Sequence, residues 1–207
     1  MISRVRIAVV SVLALTAPSA ARGQEAEAAP WALFSVRYDT RTSDFIYAAY
    51  GYGHAFAMVG ALQNPRSGYT ELLGAVGSTF AIGSGPTQSV AIGAARASDS
   101  WYAQLYYLPS LHRGPVWIRA TSELYLPLSR TGTLQFSVSP LSATVPIFSV
   151  IEAGVAMDVS ASRGARTSSA IGPELRLTLP KAVLGTDIQK VLNERATRLR
   201  IFFTTTF

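Results

Sequence analysis

The residues Thr197-Arg198-Leu199-Arg200-Ile201-Phe202-Phe203-Thr204-Thr205-Thr206-Phe207 alternate apolar and polar side chains up to a terminal aromatic. A strand sends successive side chains to opposite faces. Leu199, Ile201, Phe203, Thr205 and Phe207 therefore share one stripe, and Arg198, Arg200, Thr204 and Thr206 stand on the other. The ends of soluble domains are usually frayed and polar, whereas this stretch has the pattern of a strand that stays paired to its last residue.

At the other end, two arginines within Met1–Arg6 precede the apolar run Ile7–Leu15, and small residues follow through Ala20-Ala21-Arg22-Gly23. This is the order of a secretory signal. Cleavage is expected before Gln24, with Ser19-Ala20-Ala21 as the alternative, which leaves 24–30 as a short linker and 31–207 as one domain. The apolar run is too short for the ~20 residues of a spanning helix. With no cysteine, neither lipid attachment by the lipoprotein route nor a disulfide framework is expected. A terminal aromatic preceded by apolar residues at every second position resembles the C-terminal β-signal of Gram-negative outer-membrane β-barrels. The resemblance implies an assembly signal at Leu199, Ile201, Phe203 and Phe207. It also implies residence in the bacterial outer membrane, with membrane lipid and the barrel-assembly machinery as partners.

The formal charge of +6 includes three arginines and no acid in residues 1–23, so the mature chain carries +3. Only Lys181 and Lys190 are lysines, and the arginines form no run. A nucleic-acid surface needs a basic stripe with interleaved aromatics, and no nucleic-acid partner is expected. At 49% hydrophobic and 14% charged the chain is too apolar for disorder. Only helices and closed barrels satisfy every backbone group in lipid, so a barrel is the expected way through the membrane.

The chain between the ends reads as about ten alternating segments, with eight or twelve as alternatives. They are Trp31–Asp39, Phe45–Val59, a third ending at Ile82, Gln88–Ala97, Trp101–Leu108, Val116–Leu128, Thr133–Ser139, Ile147–Val159, Ala170–Leu179 and the C-terminal stretch. Gly51 and Gly53 suggest a bulge within the second segment, and Gly83-Ser84-Gly85-Pro86 closes the third. Each length approaches the ~9–11 residues of a tilted transmembrane strand. Thr186–Arg195 breaks the rhythm: Thr186 is a possible N-cap, and Ile188, Val191 and Leu192 have helical spacing, so a short helix is expected in the last loop. Pro173 lacks the N–H of a ladder bond, so pairing of the ninth strand is expected from Glu174. The fold class is all-β: a closed, antiparallel, up-and-down transmembrane barrel, monomeric.

Face composition separates this barrel from a soluble one. The stripes Ile147, Ile151, Val155, Val159 and Leu175, Leu177, Leu179 are aliphatic and hold no lysine, whereas a water-exposed stripe is rich in Lys and Glu. Aromatic girdles mark membrane interfaces. With ten strands, Trp101 is expected level with Phe207 at the periplasmic rim, and Tyr38 and Tyr107 near the outer rim.

The opposite stripes gather Arg37, Glu71, Arg119, Glu123, Glu152, Asp158, Glu174, Arg176, Arg198 and Arg200, five basic and five acidic. Unpaired charge away from water is costly, and arginine suits fixed bidentate pairs, so a paired lumen network is expected. The Glu174/Arg176 and Arg198/Arg200 pairs are placed on consecutive strands. Catalysis is not expected. His54 and His112 stand without an adjacent serine and acid, Ser139 and Ser142 flank Pro140 with no acid near in sequence, and there is no phosphate loop and no metal or cofactor spacing. The function expected from the sequence is a packed, polar-lumened barrel with a structural or surface-interaction role. A narrow channel for small solutes is the alternative, and a lipid-modifying enzyme is third.

Overall fold

A computed structural model describes residues 29–81 and 87–207. The expected signal segment, residues 24–28 and the Gly83–Pro86 turn lie outside the described residues. The strands are β1 (Pro30–Asp39), β2 (Asp44–Tyr52), β3 (Ala55–Asn64), β4 (Tyr69–Ala81), β5 (Thr87–Ala97), β6 (Ser100–Arg113), β7 (Val116–Pro127), β8 (Gln135–Phe148), β9 (Ile151–Ser162), β10 (Ser168–Leu179), β11 (Ala182–Val191) and β12 (Ala196–Thr206). Each pairs antiparallel with its chain neighbours, and β1 closes the ring against β12. That seam runs from Leu33 opposite Thr206 to Asp39 opposite Arg200. Beyond it, the Phe207 N–H donates to the Ala32 carbonyl at 2.9 Å. The barrel has no free edge, so every strand is held on both sides.

The pleat sorts side chains into two environments. Val36, Tyr38, Leu72, Val76, Ile92, Trp101, Val155, Leu175, Ile188, Ile201 and Phe203 all point outward and are exposed. Such a belt has the composition of a surface facing hydrocarbon. Lys190 also points outward, one residue from the end of β11, where its ammonium can extend past the apolar belt. Inward positions are small, hydroxylated, aromatic or charged, with Ala156, Ser142, Thr144 and Gln189 almost completely shielded.

Twelve strands replace the expected ten for two reasons. Phe45–Val59 is a hairpin, turning at Gly53 and His54 so that Tyr52 pairs with Ala55. Gly53 has φ +57°, a conformation glycine adopts without a Cβ penalty, so it marks a turn where the sequence suggested a bulge. A two-residue turn shifts the phase of the alternation. Tyr50 and Tyr52 point out from β2, and Ala55, Ala57 and Val59 point out from β3. The second reason is β11. The segment Thr186–Arg195 is strand to Val191 and then turn, without the expected helix. It bridges β10 and β12 along nearly its whole length, and the ladder bonds on both flanks override a local helical spacing.

Pro173 interrupts less than expected. β10 pairs with β9 continuously from Ser168, with Pro173 opposite Val155. The ladder lapses only toward β11, between Ile171 opposite Lys190 and Glu174 opposite Asp187, where the missing N–H falls. Ser139 and Ser142 lie within β8, around an irregularity between Val138 and Leu141.

Candidate functional site in the barrel lumen

The lumen charges form three groups, each built from inward positions that meet across the lumen, mostly from strands that are not ladder neighbours. In the first, Arg200 on β12 donates its Nε to both oxygens of Asp187 on β11, at 3.1 and 2.9 Å, and its Nη1 to Asp158 of β9 at 2.7 Å. Arg198, two residues earlier on the same face, binds Asp158 and the amide oxygen of Gln189, and its Nε lies 3.6 Å from Asp39. Ser139 Oγ accepts from Arg200 Nη1 at 3.2 Å. Arg200 and Asp187 are each 2% exposed, so their charges are neutralised by each other and not by water.

In the second group, Arg119 on β7 grips Glu152 on β9 through two nitrogens, at 2.9 and 3.2 Å. Thr144 Oγ1 donates to the same carboxylate at 2.6 Å. Nearby, Arg176 donates Nε to Glu174 of its own strand at 2.5 Å and Nη2 to Ser142 at 3.0 Å, while its guanidinium lies over the Phe202 ring at 5.0 Å. Glu174 and Arg176 share a face because they are two residues apart. They do not meet Arg198 and Arg200 across a hairpin as expected, because β11 lies between.

The third group holds the carboxylates that no arginine reaches. Glu71 on β4 accepts from Tyr69 Oη at 2.8 Å, Gln104 Nε2 at 3.1 Å and Tyr125 Oη at 3.0 Å. Tyr125 Oη also lies 3.2 Å from Glu123, and Ser137 Oγ lies 3.4 Å from it. Arg37 of β1 lies over the Phe45 ring at 5.6 Å, and its Nε is buried without a hydrogen-bond partner. Among the described residues, neither Glu71, Glu123 nor Arg37 forms an ion pair.

These three unpaired groups line one cavity of about 330 Å³, together with Tyr69, Tyr125, Asp158 and Arg198. Thr42 and Ser43 from the β1–β2 connection and Arg166 from the β9–β10 connection also line it. The cavity therefore opens at the rim opposite Pro30 and Phe207. It forms a vestibule beside the shielded Arg200–Asp187 pair, to which the lining residue Asp158 connects it.

All ten charges expected in the lumen are inward positions, but the expected balance does not hold. Asp39 and Asp187 join them in the lumen, giving seven acids against five arginines. Asp39 already had inward parity in the first segment, so the alternation could have found it. Asp187 was hidden by the helical spacing around it, and with it went Gln189. Of the girdle residues, Tyr38 and Trp101 stand at the vestibule rim, Tyr107 midway along β6, and Phe207 at the opposite rim. Trp101 thus lies at the opposite end of the barrel from Phe207 and not level with it, because the hairpin within 45–59 adds one traverse before it. Along β12, Ile201, Phe203 and Phe207 face outward and Leu199 is half-buried. His112 stacks on Trp117 at 4.4 Å between ring centres, and His54 occupies the β2–β3 turn.

No protein-family model matches the chain, and no curated protein sequence does. Solved structures do. The KdgM porin in complex with disordered oligogalacturonate superposes with a TM-score of 0.61 at 8% identity, over 86% of this chain and 99% of that one. The NanC porin superposes at 0.55 with 10% identity, over 84% and 98%. This is a porin-like barrel fold. At such identities the likeness lies in the wall and its topology, and lumen chemistry has to be read from this chain's own side chains.

Proposed function

We propose that the chain is a small outer-membrane channel that passes hydrophilic solutes through a constricted lumen. The vestibule carries this reading: a cavity of about 330 Å³ bounded by charged groups that the barrel has left unpaired. Twelve strands enclose more space than the roughly eight whose side chains just fill a barrel. The porin-like wall supports the same direction. The signal segment and the stripe Leu199, Ile201, Phe203, Phe207 support delivery to the outer membrane with help from the barrel-assembly machinery. Because the wall closes on itself, a monomer is sufficient.

A second reading keeps the barrel closed, as a structural element or a platform for surface loops, and the shielded layer of Arg200, Asp187, Gln189, Ser142 and Thr144 favours it. Planar-bilayer recording and swelling of proteoliposomes in glucose separate the two. The channel reading expects steady conductance steps and measurable swelling. Folded, inserted protein that neither conducts nor swells vesicles would return the closed-barrel reading to first place.

A further inference from the structure

The lumen pairs its charges with three exceptions, and these fall together. Every inward arginine except Arg37 has a carboxylate within 4.0 Å, and every inward acid except Glu71 and Glu123 has a guanidinium, among the described residues. All three exceptions line the same vestibule. Burying charge without a partner is costly, and a barrel that has satisfied four other arginines has the means to satisfy a fifth. Here the cation and the two carboxylates instead line one open space without coming within 4.0 Å of each other. Arg37 is fixed by the Phe45 ring on β1 and β2, and the carboxylates by Tyr69, Tyr125 and Gln104 on β4, β6 and β7. Tyr125 Oη has a single proton for two acceptors, Glu71 at 3.0 Å and Glu123 at 3.2 Å, so the carboxylates retain capacity for another donor. Asp158 lines the same space, is 7% exposed and has an oxygen, Oδ1, with no hydrogen-bond partner.

We propose that this vestibule is a binding site for small amine-bearing carboxylates of the basic amino-acid class. The solute's carboxylate faces Arg37, which can take it bidentately, and its ammonium groups face Glu71, Glu123 and the free oxygen of Asp158. Within the strand wall, one unpaired guanidinium faces two unpaired carboxylates and the free Asp158 oxygen, and Arg166 stands at the mouth on an exposed connection where water screens it, so the set favours a ligand with one anionic and two cationic groups over a simple zwitterion, and over an acidic sugar. The volume lies in the ~300–1,000 Å³ range of small-molecule sites. Tyr69 and Phe45 supply faces along which an aliphatic stem can lie.

This inference deepens the channel reading and rests on it for the step from binding to passage, so binding and passage are measured separately. The full-length mature barrel in detergent is titrated calorimetrically with L-lysine, 1,5-diaminopentane, D-galacturonate and D-glucose. L-Lysine is expected to bind at least tenfold more tightly than galacturonate or glucose. Arg37→Gln weakens lysine about tenfold and leaves 1,5-diaminopentane, which has no carboxylate, unchanged. Glu123→Gln weakens both amines, and Glu71→Gln provides the same test should Glu123→Gln fail to fold. Tighter binding of galacturonate than of lysine, or lysine binding indifferent to all three substitutions, overturns the site. Binding that holds while proteoliposomes fail to swell in lysine supports the site and removes the channel. Equal swelling in all solutes with no lysine binding removes the site and keeps the channel.

Discussion

The wall formed by β9 to β12 and the wall formed by β4 to β7 solve the same problem differently. On the first, arginines and acids interlock and exclude water: Arg200 and Asp187 are each 2% exposed. On the second, tyrosines and a glutamine hold the carboxylates of Glu71 and Glu123, which no guanidinium among the described residues approaches within 4.0 Å, while Arg119 of β7 reaches away to Glu152 on β9. The first wall ties its charge into structure, and the second, apart from Arg119, keeps its charge available. Such a division within one lumen points to a rigid support facing a receptive surface, which is why the stability of the barrel and its selectivity should respond to different residues.

The sharpest way to break that contrast is on the interlocked wall. Among the described residues, Arg200→Ala would strip Asp187 of its only ion-pair partner and Asp158 of one of two. Removing one member of a buried pair typically costs ~3–5 kcal/mol, because the other stays buried and uncompensated. We expect a loss of that size in denaturant unfolding of the refolded barrel in detergent. The double variant Arg200→Met with Asp187→Leu should recover most of it, since apolar replacement of a whole buried pair is often near neutral. A loss below about 1 kcal/mol for the single variant would mean that water reaches this layer, and that the two walls do not differ in kind.

Glu174→Ala should sharpen the comparison at a lower level. Arg176 loses its carboxylate but keeps Ser142 at 3.0 Å and the Phe202 ring at 5.0 Å, and its side chain is 12% exposed. Partial hydration and these remaining contacts reduce the cost to roughly 1–3 kcal/mol. The same unfolding assay measures it, and an effect equal to that of Arg200→Ala would show that the ring and the hydroxyl contribute nothing.

The two walls were not equally legible in the sequence. Alternation is a property of single residues, so each charge named from its parity did turn inward, and the aliphatic stripes did turn outward. Pairing depends on which strands are neighbours, and that was lost wherever the strand count slipped. The tight turn at Gly53 passed for a bulge because it changes only the phase of the alternation. Asp187 was lost because Ile188, Val191 and Leu192 have helical spacing, and nothing local reveals that β10 and β12 both need a partner there. The vestibule was the least legible feature. It consists of pairs that do not form, between residues as far apart in sequence as Arg37 and Glu123.

The smallest effect is expected outside both walls. Arg41 and Glu194 join the β1–β2 and β11–β12 connections at 3.0 Å, with side chains 38% and 56% exposed. Water screens such a pair and side-chain entropy opposes it, so exposed pairs contribute ~0.2–1 kcal/mol and often nothing measurable. Arg41→Ala should therefore leave unfolding within about 0.5 kcal/mol of wild type, and any difference should shrink as salt shortens the Debye length from ~10 Å at 0.1 M to ~3 Å at 1 M. Arg41 also borders a smaller cavity of about 160 Å³ that shares Asp158 and Arg198 with the vestibule. A change in conductance without a change in stability would place the β1–β2 connection in the solute's path and extend the receptive surface around the rim. A stability loss as large as that of Glu174→Ala would show instead that the two connections brace the mouth of the barrel, and that the support is not confined to one wall.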